Sequence, residues 1–100
     1  MTCVTLNERD GRYVVEAVGH ATGSVQACAA VSTLMYSVAA YLANADGVEI
    51  ENEDIADGFF SIEFSGGDAA RIIFEFCTIS FLQLEKNYGE FLVVKGETRF

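Results

Sequence analysis

Two short runs rich in β-branched residues, 2–7 and 12–19, stand on either side of Glu8-Arg9-Asp10-Gly11. Asp-Gly between alternating runs favours a two-residue hairpin turn, because both central positions of that turn need positive φ. The chain is therefore committed from its start to an antiparallel strand pair. In the second run Tyr13, Val15 and Ala17 share one face, while Val14, Glu16, Val18 and His20 share the other. With Glu16 and His20 together, the Tyr13 face is the expected core side.

The period then changes. Thr22-Gly23-Ser24 reads as a turn into a helix from Val25 to Ala43, with Ser24 as N-cap. This helix is apolar over most of its circumference and rich in small residues such as Ala27, Ala29, Ala30, Ser32, Ala39 and Ala40. That pattern predicts packing on more than one side. Asn44-Ala45-Asp46-Gly47 ends it. Val48 to Glu53 and Phe60 to Phe64 alternate as two half-buried strands joined through Asp54 to Gly58, which places Glu49, Glu51 and Glu53 on a solvent face. Ser65-Gly66-Gly67-Asp68 opens a second helix with Asp68 as cap, running to about Asn87 and largely apolar from Ile72 to Leu84. Tyr88-Gly89 stops it, and Phe91 to Lys95 forms a last strand. The order ββαββαβ, with no repeat or linker, predicts a single α+β domain over residues 1–100. It is a sandwich of one mostly antiparallel sheet and two helices.

Composition narrows the function classes. One hundred residues can build a core without disulfides or metal. Fifteen acidic residues against six basic ones give a net charge of -9, which argues against a phosphate-backbone binder and predicts no direct nucleic-acid partner. The same charge suits a basic protein or peptide partner, and it equally suits simple solubility. The hydrophobic fraction of 51%, with eight Phe and four Tyr, exceeds what one small domain easily buries. The surplus points to a homodimer interface.

Cys3, Cys28 and Cys77 are odd in number and unpatterned, and one histidine does not complete a usual zinc site, so no metal is expected. The acidic run from Glu49 to Asp57 matches no calcium loop, and no glycine-rich phosphate or dinucleotide motif implies a cofactor. The N-terminus lacks a signal-peptide pattern. The longest helical run reads as interrupted by polar residues short of a membrane span. The expectation is a cytoplasmic protein with reduced thiols and no membrane partner.

Chemistry concentrates in one stretch. Cys28 falls in the opening turns of the first helix, where unpaired N–H groups and the helix dipole favour a thiolate. Free amides there also suit an oxyanion. His20, the only histidine, closes the preceding strand after Gly19, and an imidazole takes or shares a thiol proton. Ser32 lies one helical turn after Cys28, on the same face and in position to bond the thiol or its backbone. The competing structural reading has Cys28 packed like an alanine and His20 merely closing a strand. Cys77, inside Phe74-Glu75-Phe76-Cys77, and Cys3, in an edge or terminal strand, read as structural.

Gly19-His20-Ala21 at a strand end and Cys28-Ala29-Ala30-Val31-Ser32 at a helix start resemble the ribosomal-processing cysteine protease (Prp) family, small bacterial and phage-related enzymes. Phe81-Leu82-Gln83-Leu84, Tyr88 and the closing strand are similar to the family's C-terminal end, so the resemblance covers nearly the whole chain. It implies a dimeric α+β domain that cleaves peptide bonds, with Cys28 as nucleophile, His20 as base and Ser32 matching a serine one turn after the nucleophile. The family's substrates include the N-terminal extension of a large-subunit ribosomal protein and phage capsid or scaffold precursors. Two features depart from the family. The loop between His20 and Cys28 is shorter, and Val25 stands where members carry an Asp. A cysteine endopeptidase is the leading expectation. A catalytically silent dimeric binding module of the same fold is the alternative, and a redox-responsive thiol protein is a weaker third. If the peptidase works, Glu16 is the best sequence candidate to orient His20, although i and i+4 on a strand lie about 13 Å apart.

Overall fold

The computed structural model describes residues 1–19, 24–56 and 58–96. Strands β1 (Thr2–Arg9) and β2 (Arg12–Val18) form the expected hairpin, with Arg9 opposite Arg12 and Cys3 opposite Val18. Its turn has Asp10 at φ 55° and Gly11 at φ 80°, the paired positive values that an Asp-Gly turn supplies. Helix α1 (Val25–Asn44) follows, then β3 (Glu49–Ala56), β4 (Phe59–Ser65), helix α2 (Gly67–Tyr88) and β5 (Leu92–Gly96). The order ββαββαβ and the α+β class are as the sequence reads.

The five strands make one sheet in the order β3-β4-β2-β1-β5. All neighbours are antiparallel except β1 and β5, which run parallel. β2 is thus central, and β1 is an interior strand. Cys3 therefore lies in the N-terminal strand, one of its two expected places, and that strand is inside the sheet, not at its edge.

Alternation decides the core. Val4, Leu6, Tyr13, Val15, Ala17, Phe60, Ile62, Phe64 and Leu92 are buried on one face of the sheet. Against them α1 lays the stripe Ala27, Val31, Met35, Val38 and Leu42, and α2 lays Ala70, Phe74, Cys77 and Phe81. These spacings of three and four residues are one face of an α-helix. Tyr13 lies between Phe64 and Phe74, at ring-centroid distances of 5.6 and 4.8 Å. Thr78, the buried polar residue of α2, donates from Oγ1 to the Phe74 carbonyl at 2.9 Å, so it costs the core no unpaired group.

Several local expectations change. α1 packs on the sheet through one buried stripe and beside α2, and it leaves Val25, Tyr36 and Tyr41 exposed. Its twenty residues carry no charge, and its mean hydropathy of 1.4 makes it long and apolar enough to cross a membrane by length and composition. Its Ser, Thr and Gln residues do not shorten it, as the sequence had suggested. The N-cap of α2 is Gly66 at φ 133°, where a Cβ would collide with the Gly47 carbonyl oxygen. Asp68 lies inside the first turn and caps nothing, but it pairs with Arg71 at 3.6 Å.

Finally, β3 carries a bulge between Ile50 and Asn52. The extra residue, Glu51, shifts the phase of the strand. Glu53 then stands opposite Ile62 on the helix side of the sheet, while Glu49 and Asp54 stand opposite Ser65 and Ser61 on the open side. Simple alternation had put all three glutamates together. β3 also runs on to Ala56, beyond the expected Glu53, because Ile55 and Ala56 still pair with Phe60 and Phe59.

Candidate active site

Ser24 sets the head of α1. Its φ and ψ of -143° and 109° are extended, and its Oγ accepts the Ala27 amide at 3.1 Å. The Cys28 amide donates to the Ser24 carbonyl at 3.2 Å, the first regular bond of the helix. Neither amide is therefore left for an oxyanion. In the first turn, Val25 and Gln26 carry the N–H groups without an intrahelical acceptor. This narrows the expectation that the helix start as a whole offers free donors.

Cys28 is half-buried and lines a cleft of about 460 Å³. The cleft opens where β2 ends and the β3–β4 hairpin turns. α1 supplies one wall with Val31, Met35 and Tyr36 beside the thiol, and the hairpin supplies the other with Ile55, Phe59 and Phe60. Tyr36 meets Phe60 edge to face, with centroids 6.3 Å apart, closing the apolar end. Ser32 is exposed on the same wall as Cys28, one turn along. No hydrogen bond joins the two side chains among the described residues.

Gly19 forms the rim on the β2 side. It is held from three directions: its amide donates to Gly58 O at 2.8 Å, its carbonyl accepts from Thr2 Oγ1 at 3.2 Å, and a Cβ would lie 2.7 Å from Met1 O. Its φ of 90° belongs to the region where glycine is favoured. The next residue in the chain is His20, which lies outside the described residues, as do Ala21, Thr22, Gly23 and Asp57. Gly19 and Cys28 thus share one cleft, and His20 follows Gly19 in the sequence.

Glu16 is elsewhere. It pairs with Thr5 and Ser61 on the open face of the sheet, whereas its neighbour Ala17 lines the cleft. The strand alternation that grouped Glu16 with His20 ends at Val18. Cys77 is fully buried, and burial pushes its thiol up to about 12, which suppresses the thiolate. The hairpin wall escaped the sequence reading altogether, since nothing local ties Phe59 or Ile55 to Cys28. Tyr36 was within reach of it, at two helical turns beyond Cys28 on the same face as Ser32.

The fold and this cleft describe a small α+β domain with a cysteine at the head of a helix that walls an apolar cleft. Residues 1–93 match the sequence profile of the family described as cysteine protease Prp, and the chain belongs to that family. No curated protein sequence matches it significantly. Among solved structures it is similar to the essential ribosomal processing protease Prp from S. aureus in complex with a covalently linked product peptide. That match has 20% identity and a TM-score of 0.84, covering 97% of this chain and 100% of that one. The same protease in complex with a substrate peptide gives a TM-score of 0.79 at 20% identity, with the same coverage. SMU.848 from Streptococcus mutans is 26% identical, with a TM-score of 0.75 and 99% of each chain covered.

Proposed function

We propose that this protein is a cysteine endopeptidase that trims an N-terminal extension from a ribosomal or phage structural protein. The observation that carries this reading is the Cys28 thiol at the head of α1, inside an apolar-walled cleft whose rim residue, Gly19, precedes the only histidine. In this reading Cys28 Sγ attacks the scissile carbonyl carbon and its proton passes to His20. The tetrahedral intermediate expels the amine, which takes that proton, and leaves a thioester. Water then adds to the thioester carbonyl, giving its proton through His20 to the departing thiol. The Val25 and Gln26 amides are the candidate oxyanion donors, and Ser32 is a supporting group on the thiol's wall. Met35, Tyr36 and Phe60 suit an apolar substrate side chain next to the scissile bond.

The test is incubation with peptides spanning ribosomal and capsid-type N-terminal extensions, followed by mass spectrometry. Cleavage that disappears in Cys28→Ala is expected, and cleavage surviving that substitution would refute the mechanism. One observation favours the silent binding module: Val25, at the head of α1, is 82% exposed and the first turn contains no acidic residue. Peptide binding without any turnover would decide for that reading. The homodimer belongs to the same proposal. It rests on Ile72, Phe76 and Ile79, exposed on α2 beside the Ala29, Ala30 and Thr33 surface of α1. Sedimentation should give twice the chain mass, reduced by Phe76→Glu, and a single-chain mass for the unmodified protein would defeat it.

A further inference from the structure

The two edges of the sheet are finished differently. On β5 the Val94 amide goes to Glu85 Oε2 at 2.7 Å, so a carboxylate from α2 already occupies that edge. β3 pairs only with β4, is exposed from Glu51 to Ala56, and has no side chain on its backbone amides among the described residues. Its last residues, Ile55 and Ala56, line the cleft that holds Cys28. A free strand edge is a template for another extended chain, and this one ends at the candidate nucleophile.

Charge says which chain. Glu51 is already paired, at 2.7 Å from Arg12, and Arg12 also reaches Glu63 at 3.6 Å. Glu49, Glu53 and Asp54 make no ion pair among the described residues. An edge bearing three carboxylates with no ion-pair partner among the described residues repels a second copy of itself, which is how natural edges avoid self-pairing. It attracts a basic strand. The bulge at Glu51 adds a geometric requirement, since it leaves Glu53 on the helix side and its neighbour Asp54 on the open side. Adjacent residues of an incoming strand also point to opposite faces, so two consecutive basic residues meet one carboxylate each.

We infer that the free edge of β3 docks an extended Lys- or Arg-bearing segment of the substrate, pairing it as an added strand and leading the scissile bond to Cys28. This rests on the peptidase reading and names its substrate flank. β3 offers eight residues, a track of about 26 Å.

The test uses the Cys28→Ala protein, so that binding is read without turnover. Fluorescent peptides share one apolar centre and differ in their flanks, which carry consecutive lysines or consecutive glutamates before or after the centre. A further set carries the lysine flank with backbone N-methyl groups placed singly along it. On one side of the centre, lysines should bind at least about tenfold more tightly than glutamates, and rising salt should erode the difference. N-methylation at alternate positions of that flank should weaken binding by about tenfold. The double variant Glu53→Lys with Asp54→Lys, both exposed positions, should lose the lysine preference while keeping its far-UV circular dichroism. Equal affinity for lysine and glutamate flanks, or indifference to N-methylation at every position, would overturn the inference. Cleavage by the unmodified protein without flank preference removes the docking edge alone. Flank-selective binding without cleavage removes the peptidase reading and leaves the edge.

Discussion

Replacing Gly19 by Ala tests how firmly the rim of the cleft is held. Gly11→Ala is its internal control. Both glycines have left-handed φ, 90° and 80°, but a Cβ on Gly11 meets nothing within 4 Å while one on Gly19 meets Met1 O at 2.7 Å. The backbone term is common to the two variants and costs about 1–2 kcal/mol. The second term belongs to Gly19. Met1 has to move, yet Thr2 beside it is fixed by its amide on Phe91 O at 2.9 Å and by its hydroxyl on Gly19 O at 3.2 Å. Losing one such bond adds about 1 kcal/mol. Gly19→Ala should therefore cost about 2–3 kcal/mol in urea titrations, against about 1–2 for Gly11→Ala. Each kcal/mol lowers the melting temperature of a domain this size by roughly 4–8 °C. Activity separates the variants further. A displacement of about 1 Å at a reacting group costs about a hundredfold, so cleavage should fall on that scale in Gly19→Ala and stay unchanged in Gly11→Ala, at the opposite end of β2. Equal destabilisation by the two substitutions would refute the close-approach argument. Full cleavage by Gly19→Ala would refute the link between this rim and activity.

Four further outcomes follow from burial and position. Iodoacetamide should label Cys28 before Cys77 in the folded protein, and peptide mapping showing Cys77 labelled first would count against the site. Cys77 binds its proton more tightly folded, at about 12, than its ordinary value of 9.0. Its contribution to stability is thus complete below pH 9 and lost as pH rises through 12, so Cys77→Ala should flatten the stability–pH curve in that window. Phe81→Ala, at a fully buried position, should cost about 3–5 kcal/mol in urea titration, and a loss under about 1 would contradict the packing described. Glu16→Gln, on the sheet face away from the cleft, should change cleavage by less than about tenfold, or about 1.4 kcal/mol of barrier, as a kcat/KM comparison would show.

The elements of this fold are written locally. Asp10-Gly11 demands a tight hairpin, Ser24 caps the helix it precedes, and alternation in β2 selects Tyr13, Val15 and Ala17 for the core; each depends on neighbours only a few residues away. Cys28 and Gly19, which line one cleft, stood out for the same reason, as parts of short motifs in local contexts. Periodicity reports which face a residue takes but not which strand lies beside it. Only the tertiary structure placed β2 at the centre and β1, with Cys3, inside the sheet, through pairings such as Ala17 with Phe60 and Val4 with Val94. It alone turned Glu53 away from Glu49 through a one-residue bulge, and brought the β3–β4 hairpin against Cys28 to complete the cleft. Those features are settled by contacts between segments far apart in the chain. Their free energy comes from burying apolar faces against one another, which no single segment carries by itself.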